Sequence, residues 1–316
     1  MNQLTLCYST HRPEILDVTI DIMKEHDVII LEEPPHPQFQ SMLAGETDLD
    51  DYMLELDLEY PLFSRKYNCL LQDLFSCNID IIQLEPFLEH LERIHFFFAE
   101  DHSPEDIDRP SILYDVYQAE RNATSALIEY YKSSRSGNFY DILEAMQRFA
   151  KADAQRFKLR DTMRANSIIE SITTGRDIFI EVGAIHKYLG HLLDKNLSGW
   201  LLNPRFIEEE IIGHLELEGT ILNPGDQLTL CYIFGEKISR KRENLLCGQS
   251  LIYTKIIHKE EIDDKNRSFP HLRNEISSIN LVKSLNLEEC RRLFSDISSL
   301  STQQAREAVS NYSANC

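Results

Sequence analysis

The chain has 316 residues, enough for one large domain or two modest ones, and either can bury a full core. Its 32 basic and 52 acidic side chains give a formal charge of −20, which argues against a nucleic-acid partner, because phosphate recognition needs a basic stripe. No window reaches the roughly 18 apolar residues of a membrane span, since even Ile94-His95-Phe96-Phe97-Phe98-Ala99 is bounded by charge, so no membrane partner is expected.

Met1-Asn2-Gln3 carries no basic n-region and the apolar run after it is only strand-length, so the start reads as no signal peptide. The cysteines at positions 7, 69, 77, 231, 247, 290 and 316 are odd in number and contain no Cys-x-x-Cys. That pattern predicts reduced thiols and a cytoplasmic protein rather than a disulfide framework or zinc knuckle.

In chain order, the pattern predicts a strand at 3–8, a helix near 13–25, a strand at 27–32, further helices, and a strand at 79–85. Short, continuous β-branched runs between polar loops are what a parallel sheet covered on both faces produces. The expected fold is α/β, a mostly parallel sheet with helices on both faces. From Pro86 to Gly175 the period becomes helical, with segments near 86–99, 111–133 and 138–172 and a break at Ser134-Arg135-Ser136-Gly137-Asn138. This stretch, about 86–175, is expected to form a helical cap over the carboxyl ends of the strands, where open α/β sheets bind ligands.

A strand over Asp177-Ile178-Phe179-Ile180-Glu181-Val182 then runs through Gly183-Ala184-Ile185 to His186, followed by a short helix to about Lys195. Beyond it Asn203-Pro204 and Asn223-Pro224-Gly225-Asp226 read as turns, Gln227 to Phe234 as one more strand, and the remainder as helices. The expected organisation is an α/β core at 1–195 and a C-terminal extension at 196–316 packed on the same domain.

Chemistry-bearing residues gather at predicted strand ends: His11 after the first, Glu32 and Glu33 after the second, Glu85 after the third, His186 after the last. Imidazole with carboxylate can hold a divalent ion such as Mn, Co or Zn, or act as general base and acid on a carbonyl. The expected metal set is His11, Glu32, Glu33 and His186. For each carboxylate the plain alternative is helix capping or solvation. Cys7, near His11, reads either as a nucleophile or, as a residue of an alternating strand, as core, and the second is preferred.

Two helices add charge. In the segment 111–133, Glu120 falls in the apolar stripe and Arg121 at its edge, which predicts either a structural ion pair or a polar pocket. In the segment 138–172, Arg160 and Asp161 belong to the most basic stretch of the chain, a solvated face or a guanidinium aimed at an anionic or carbonyl oxygen.

The order of these motifs resembles the superfamily that joins the TraB and Tiki proteins, the ChaN-like proteins and the erythromycin esterases. Gly183-Ala184-Ile185-His186 is similar to the second Gly-x-x-His motif of that group, and Tyr8-Ser9-Thr10-His11 resembles the first, with Tyr in place of Gly. Leu31-Glu32-Glu33 resembles the acidic strand end, and Arg160-Asp161-Thr162-Met163-Arg164-Ala165 the helical motif, with Arg164 in place of a small residue; Glu120-Arg121-Asn122 is a competing match. The likeness covers about residues 3–195. It implies ester hydrolysis, metal-dependent peptide cleavage, haem association or a regulatory role, and fold does not choose among these.

The expected function is hydrolysis of an ester or amide bond in a small-molecule or peptide substrate. His11 and His186 would be general base or metal ligands, Glu33 or Glu32 ligand or orienter, and Arg160 the stabiliser of a developing oxyanion. The alternative is a binding or regulatory protein that holds haem or a peptide in the same crevice without turnover.

Overall fold

Short runs of β-branched and apolar residues form five strands, β1 (Asn2–Ser9), β2 (Val28–Leu31), β3 (Asp80–Gln83), β4 (Ile178–Gly183) and β5 (Trp200–Phe206). The computed structural model describes residues 2–56, 58–136, 138–262 and 267–314. The strands make one sheet in the order β3-β2-β4-β1-β5, and every pairing is parallel. Ile180 of β4 lies level with Leu6 of β1 on one side and Ile30 of β2 on the other. All four residues of β2, and β4 up to Val182, are buried, as expected for inner parallel strands covered on both faces.

A parallel sheet ends all its strands on one edge. The segments leaving Ser9, Leu31, Gln83, Gly183 and Phe206 therefore share a rim, and they carry His11, Glu32, Glu33, Glu85, His186 and, in the first turn of the helix Ile207–His214, Glu208. The expected α/β class with helices around a parallel sheet is what the chain adopts.

The chain forms two compact units. The first comprises Met1–Leu113, Leu159–Ile211 and Asp263–Phe269, and the second Tyr114–Lys158, Ile212–Ile262 and Pro270–Cys316. The division differs from the expected 1–195 and 196–316: β5 joins the first unit, and residues 114–158 of the expected cap group with the second. The first unit's core holds Leu4, Leu6, Ile30, Ile180, Val182 and Leu189. Among its described residues the second unit has only helical regular structure, with Ile252, Ile279, Val282, Leu293 and Ile297 in one cluster and Leu143, Met146, Leu228 and Leu246 in another.

Two elements differ from their sequence reading. The run Gln227 to Phe234 is not a strand but lies in the helix Pro224–Phe234. A short continuous apolar run has no decisive period, and here the caps decide. The Asn223 side chain accepts from the backbone of Gly225 and Asp226, Pro224 occupies the first helical turn, and Gly235 at φ 68° closes the other end. Conversely, Asn203-Pro204 is no turn: Pro204 sits in β5 opposite Leu6. β5 pairs on one side only, and an edge strand tolerates a residue without an N–H.

Within the expected break, Gly137 lies outside the described residues, and the flanking helices are Ile112–Ser136 and Phe139–Ser171. Cys316 also lies outside them; the other six cysteines are free. Among the described residues no helix is long and apolar enough to cross a membrane.

Candidate functional site: a buried ion network and an exposed histidine on the strand rim

Glu32 follows β2 directly, and its side chain is 4 % exposed. Arg160 Nη2 reaches its Oε1 at 2.8 Å and Arg164 Nη1 its Oε2 at 3.3 Å. The Gly183 backbone N–H also donates to Oε2, and His186 Nε2 lies 3.1 Å from Oε1. Burial alone would favour the neutral carboxyl. His186, Arg164 and Arg160 outweigh it and hold Glu32 well below the usual carboxylate range.

Arg160 and Arg164 stand four residues apart on the helix Phe139–Ser171, hence on one face. Arg160 Nε also pairs with Glu85 Oε2 at 3.2 Å, and Arg164 Nε with the same oxygen at 3.8 Å. Arg164, 1 % exposed, donates further to the carbonyls of Leu84 at 3.1 Å and Glu181 at 2.8 Å. Glu85 occupies the N-cap position of the helix Pro86–Ala99 without a side-chain capping bond. It faces the two guanidinium groups instead, and burial pushes its carboxyl up against their pull.

His186 is buried, with both ring nitrogens engaged. Nδ1 is hydrogen-bonded to Asp161, whose other oxygen accepts from the Leu189 backbone N–H at 3.1 Å, and Nε2 faces Glu32. Asp161, next to Arg160 in the helix, thus fixes the ring from behind.

His11 is different, with 41 % of its side chain exposed. Its ring stacks on Phe63 with centroids 5.2 Å apart, and Nε2 lies 4.0 Å from Oε1 of buried Glu181. Glu181 Oε2 accepts from the Glu32 backbone N–H at 3.0 Å, and the buried Tyr67 hydroxyl lies beside the same carboxylate. Glu33 receives the Gln83 side-chain amide at 3.0 Å; burial and then the charge of Glu181 raise its pKa.

Glu208, just after β5, accepts from both the backbone N–H and the hydroxyl of Thr10 at 2.6 Å. It pins the loop that presents His11, and burial pushes its carboxyl up to about 7. Cys7 is fully buried, and burial followed by Glu181 pushes its thiol well above its ordinary value, so it offers no thiolate.

The structure brings Glu32, Glu85, Arg160, Asp161 and His186 into one contiguous network, sets His11 beside Glu181 and leaves Glu33 within electrostatic reach of both. Glu120 and Arg121 belong to the second unit. There Glu120 pairs with Arg156 at 3.2 Å and accepts from Thr124, and Arg121 lies over the Tyr117 ring. Sequence reasoning missed Glu181, Glu208 and Arg164. A lone charge inside the apolar run of β4 was the available sign of Glu181; Arg164 was legible as one turn from Arg160 but read as a departure from a motif.

The expected metal set does not fit a divalent ion. Glu32 already meets two guanidinium groups and a backbone N–H, whose positive charge would repel a cation. Among the described residues no group of three or more His, Cys, Asp or Glu is placed to hold one. Haem iron would find both nitrogens of His186 taken.

A protein of the archaeon Archaeoglobus fulgidus, whose name reads "Uncharacterized protein", is 30% identical over 292 residues, 92% of this chain and 97% of its own length. The two chains belong to one family. The shared span is too long to leave out either compact unit, so the family carries both. No family model matches the chain, and no solved structure matches it.

Proposed function

We propose that the protein hydrolyses ester or amide bonds by general acid–base catalysis at the carboxyl edge of its sheet. The observation that carries this reading is the pairing of a solvent-accessible imidazole, His11, with the buried carboxylate of Glu181. In this reading Glu181 faces His11 Nε2, orients the ring and stabilises the imidazolium, and the opposite nitrogen, Nδ1, takes a proton from the attacking water. Arg160, 20 % exposed while its neighbour Arg164 is sealed in, is the guanidinium available to a developing oxyanion. Glu33, its carboxyl biased toward the protonated form, gives its proton to the departing alkoxide or amine. Water and ester become acid and alcohol; His11 then releases its proton and Glu33 regains one from solvent.

Glu32, Glu85, Arg164, Asp161 and His186 position Arg160 in this scheme and do not touch the substrate. The motif order and the meeting of Glu32, Arg160 and His186 support placing the chain with the TraB, Tiki, ChaN and erythromycin-esterase superfamily. A second reading, ligand binding without turnover, is favoured by the commitment of Arg160 to both Glu32 and Glu85.

A panel of p-nitrophenyl esters, alkyl esters and peptide amides, assayed with the unmodified protein, His11→Ala and His186→Ala, tests the proposal. His11→Ala should lose at least about 10²-fold in kcat and keep its melting temperature. His186→Ala should melt lower, because it leaves buried Asp161 without the imidazole it pairs with. Equal turnover by His11→Ala, or no turnover of any substrate by the unmodified chain, ends the hydrolase reading.

A further inference from the structure

A cavity of about 310 Å3 opens beside the ends of β2 and β3. The helix Pro86–Ala99 contributes Leu88, Leu91, Glu92 and His95 to its wall, spaced i, i+3, i+4 and i+7 and so on one face. Phe87 and Ile94 of the same helix are buried in the core. Pro34 and Pro35 after β2 and Leu56 and Leu58 supply further apolar surface, with Tyr52 and Gln83.

We propose that this cavity holds an uncharged apolar substituent of the substrate, an alkyl or aryl group, and rejects anionic ones. The word substrate rests on the hydrolase reading above; the cavity's preference for its occupant does not.

Three observations carry it. The volume equals roughly ten water-sized volumes, at the small end of ligand pockets, and suits a group of about eight to ten non-hydrogen atoms. Leu and Pro side chains dominate the lining, so each methylene that leaves water there strengthens binding by about fourfold. No Lys or Arg is among the described residues that line it, and its titratable groups are Glu33, Glu92, His95 and a His36 already 3.6 Å from Glu55, so an anion meets two carboxyls and no permanent cation.

Glu33 joins the two sites. It lines the cavity and also lies within electrostatic reach of Glu181 and His11. A substituent seated in the cavity would set the bond next to it beside the carboxyl that donates the proton.

Titration calorimetry with octanamide, acetamide and octanoate on the unmodified protein and on His11→Ala gives a readout independent of turnover. Octanamide should bind at least tenfold more tightly than acetamide or octanoate to both proteins. Leu91→Trp, which fills the cavity, should abolish the difference while its melting temperature stays unchanged. Octanoate binding as tightly as octanamide overturns the proposal without recourse to any variant, as does octanamide binding no better than acetamide. If octanamide binds with this selectivity and no ester or amide is turned over, the cavity stands and the hydrolase reading falls.

Discussion

Glu32 and Glu33 are consecutive residues whose carboxyls lie in opposite surroundings: Glu32 faces two guanidinium groups and the His186 ring, whereas Glu33 accepts the Gln83 amide and feels the negative charge of Glu181. One strand exit thus supplies an anchored anion and a carboxyl inclined to keep its proton. Environments that push two neighbouring acids apart are how one site can hold both an ionised and a neutral carboxyl.

If Glu33 is the acid, kcat should fall as pH rises through its raised pKa, so the descending limb lies above the ordinary carboxylate value of 4.5. Glu33→Gln should remove that limb. The variant should lose about 10²-fold on alkyl esters and amides, which need a protonated leaving group, and little on p-nitrophenyl esters, which do not. An equal loss on both substrate types would count against the role.

Arg164 is sealed in the interior and divides its guanidinium among two carboxylates and two backbone carbonyls. Arg164→Met should cost about 3–5 kcal/mol in urea unfolding, because Glu32 and Glu85 lose a partner they cannot replace with water. Arg164→Lys should not rescue it, since an ammonium cannot span these acceptors. Adding Glu85→Gln to Arg164→Met should recover part of the loss; a cost below about 1 kcal/mol for Arg164→Met would show that the network is not a stabilising unit.

Glu208 predicts a pH dependence of the opposite sense to ordinary carboxylates. Its folded-state pKa of about 7 exceeds the ordinary 4.5, so between these values the folded chain binds the extra proton. Its contribution to stability is therefore full below about 4.5 and is lost as pH rises through about 7. Glu208→Gln should flatten this part of the stability profile in urea titrations from pH 4 to 8, while Thr10→Ala, which removes one donor, should also lower kcat by loosening the loop that carries His11. An unchanged profile in Glu208→Gln would rule out the linkage.

Gly190 is required by Tyr8. A Cβ at position 190 would stand 2.2 Å from the Tyr8 hydroxyl oxygen, in a ring that stacks on Phe206 with centroids 4.8 Å apart. Gly190→Ala should therefore destabilise by about 1–3 kcal/mol. With Tyr8→Phe the offending atom is gone and the next contact is 3.5 Å away, so the double variant should be close to Tyr8→Phe alone. Simple additivity in thermal unfolding would contradict this contact.

Much of the first unit was legible in the sequence. The apolar runs that became β1 to β4 are short, rich in β-branched residues and bounded by polar ones, and alternating with helical segments they fit a parallel sheet covered on both faces. β5 was not legible, because Asn203-Pro204 carries a turn signature and only its edge position makes the proline tolerable. The run at 227–234 was ambiguous for the reason that any short apolar run is: its period fits either element until the Asn223 and Gly235 caps are seen acting.

The site divides the same way. Which side chains stand at strand exits is a property of the sequence, because each strand delivers its next residues to the rim whatever its neighbours are. Which of them meet is a property of the strand order. β4 inserts between β1 and β2, and this sets Glu181 beside His11 and Gly183 and His186 against Glu32. No local pattern encodes that insertion; it follows from how long crossovers pack. Charge type and edge position were therefore determined by the chain, whereas the sealing of Arg164, the bracing of His186 and the exposure of His11 were decided by tertiary packing, which alone sets how much water each group keeps.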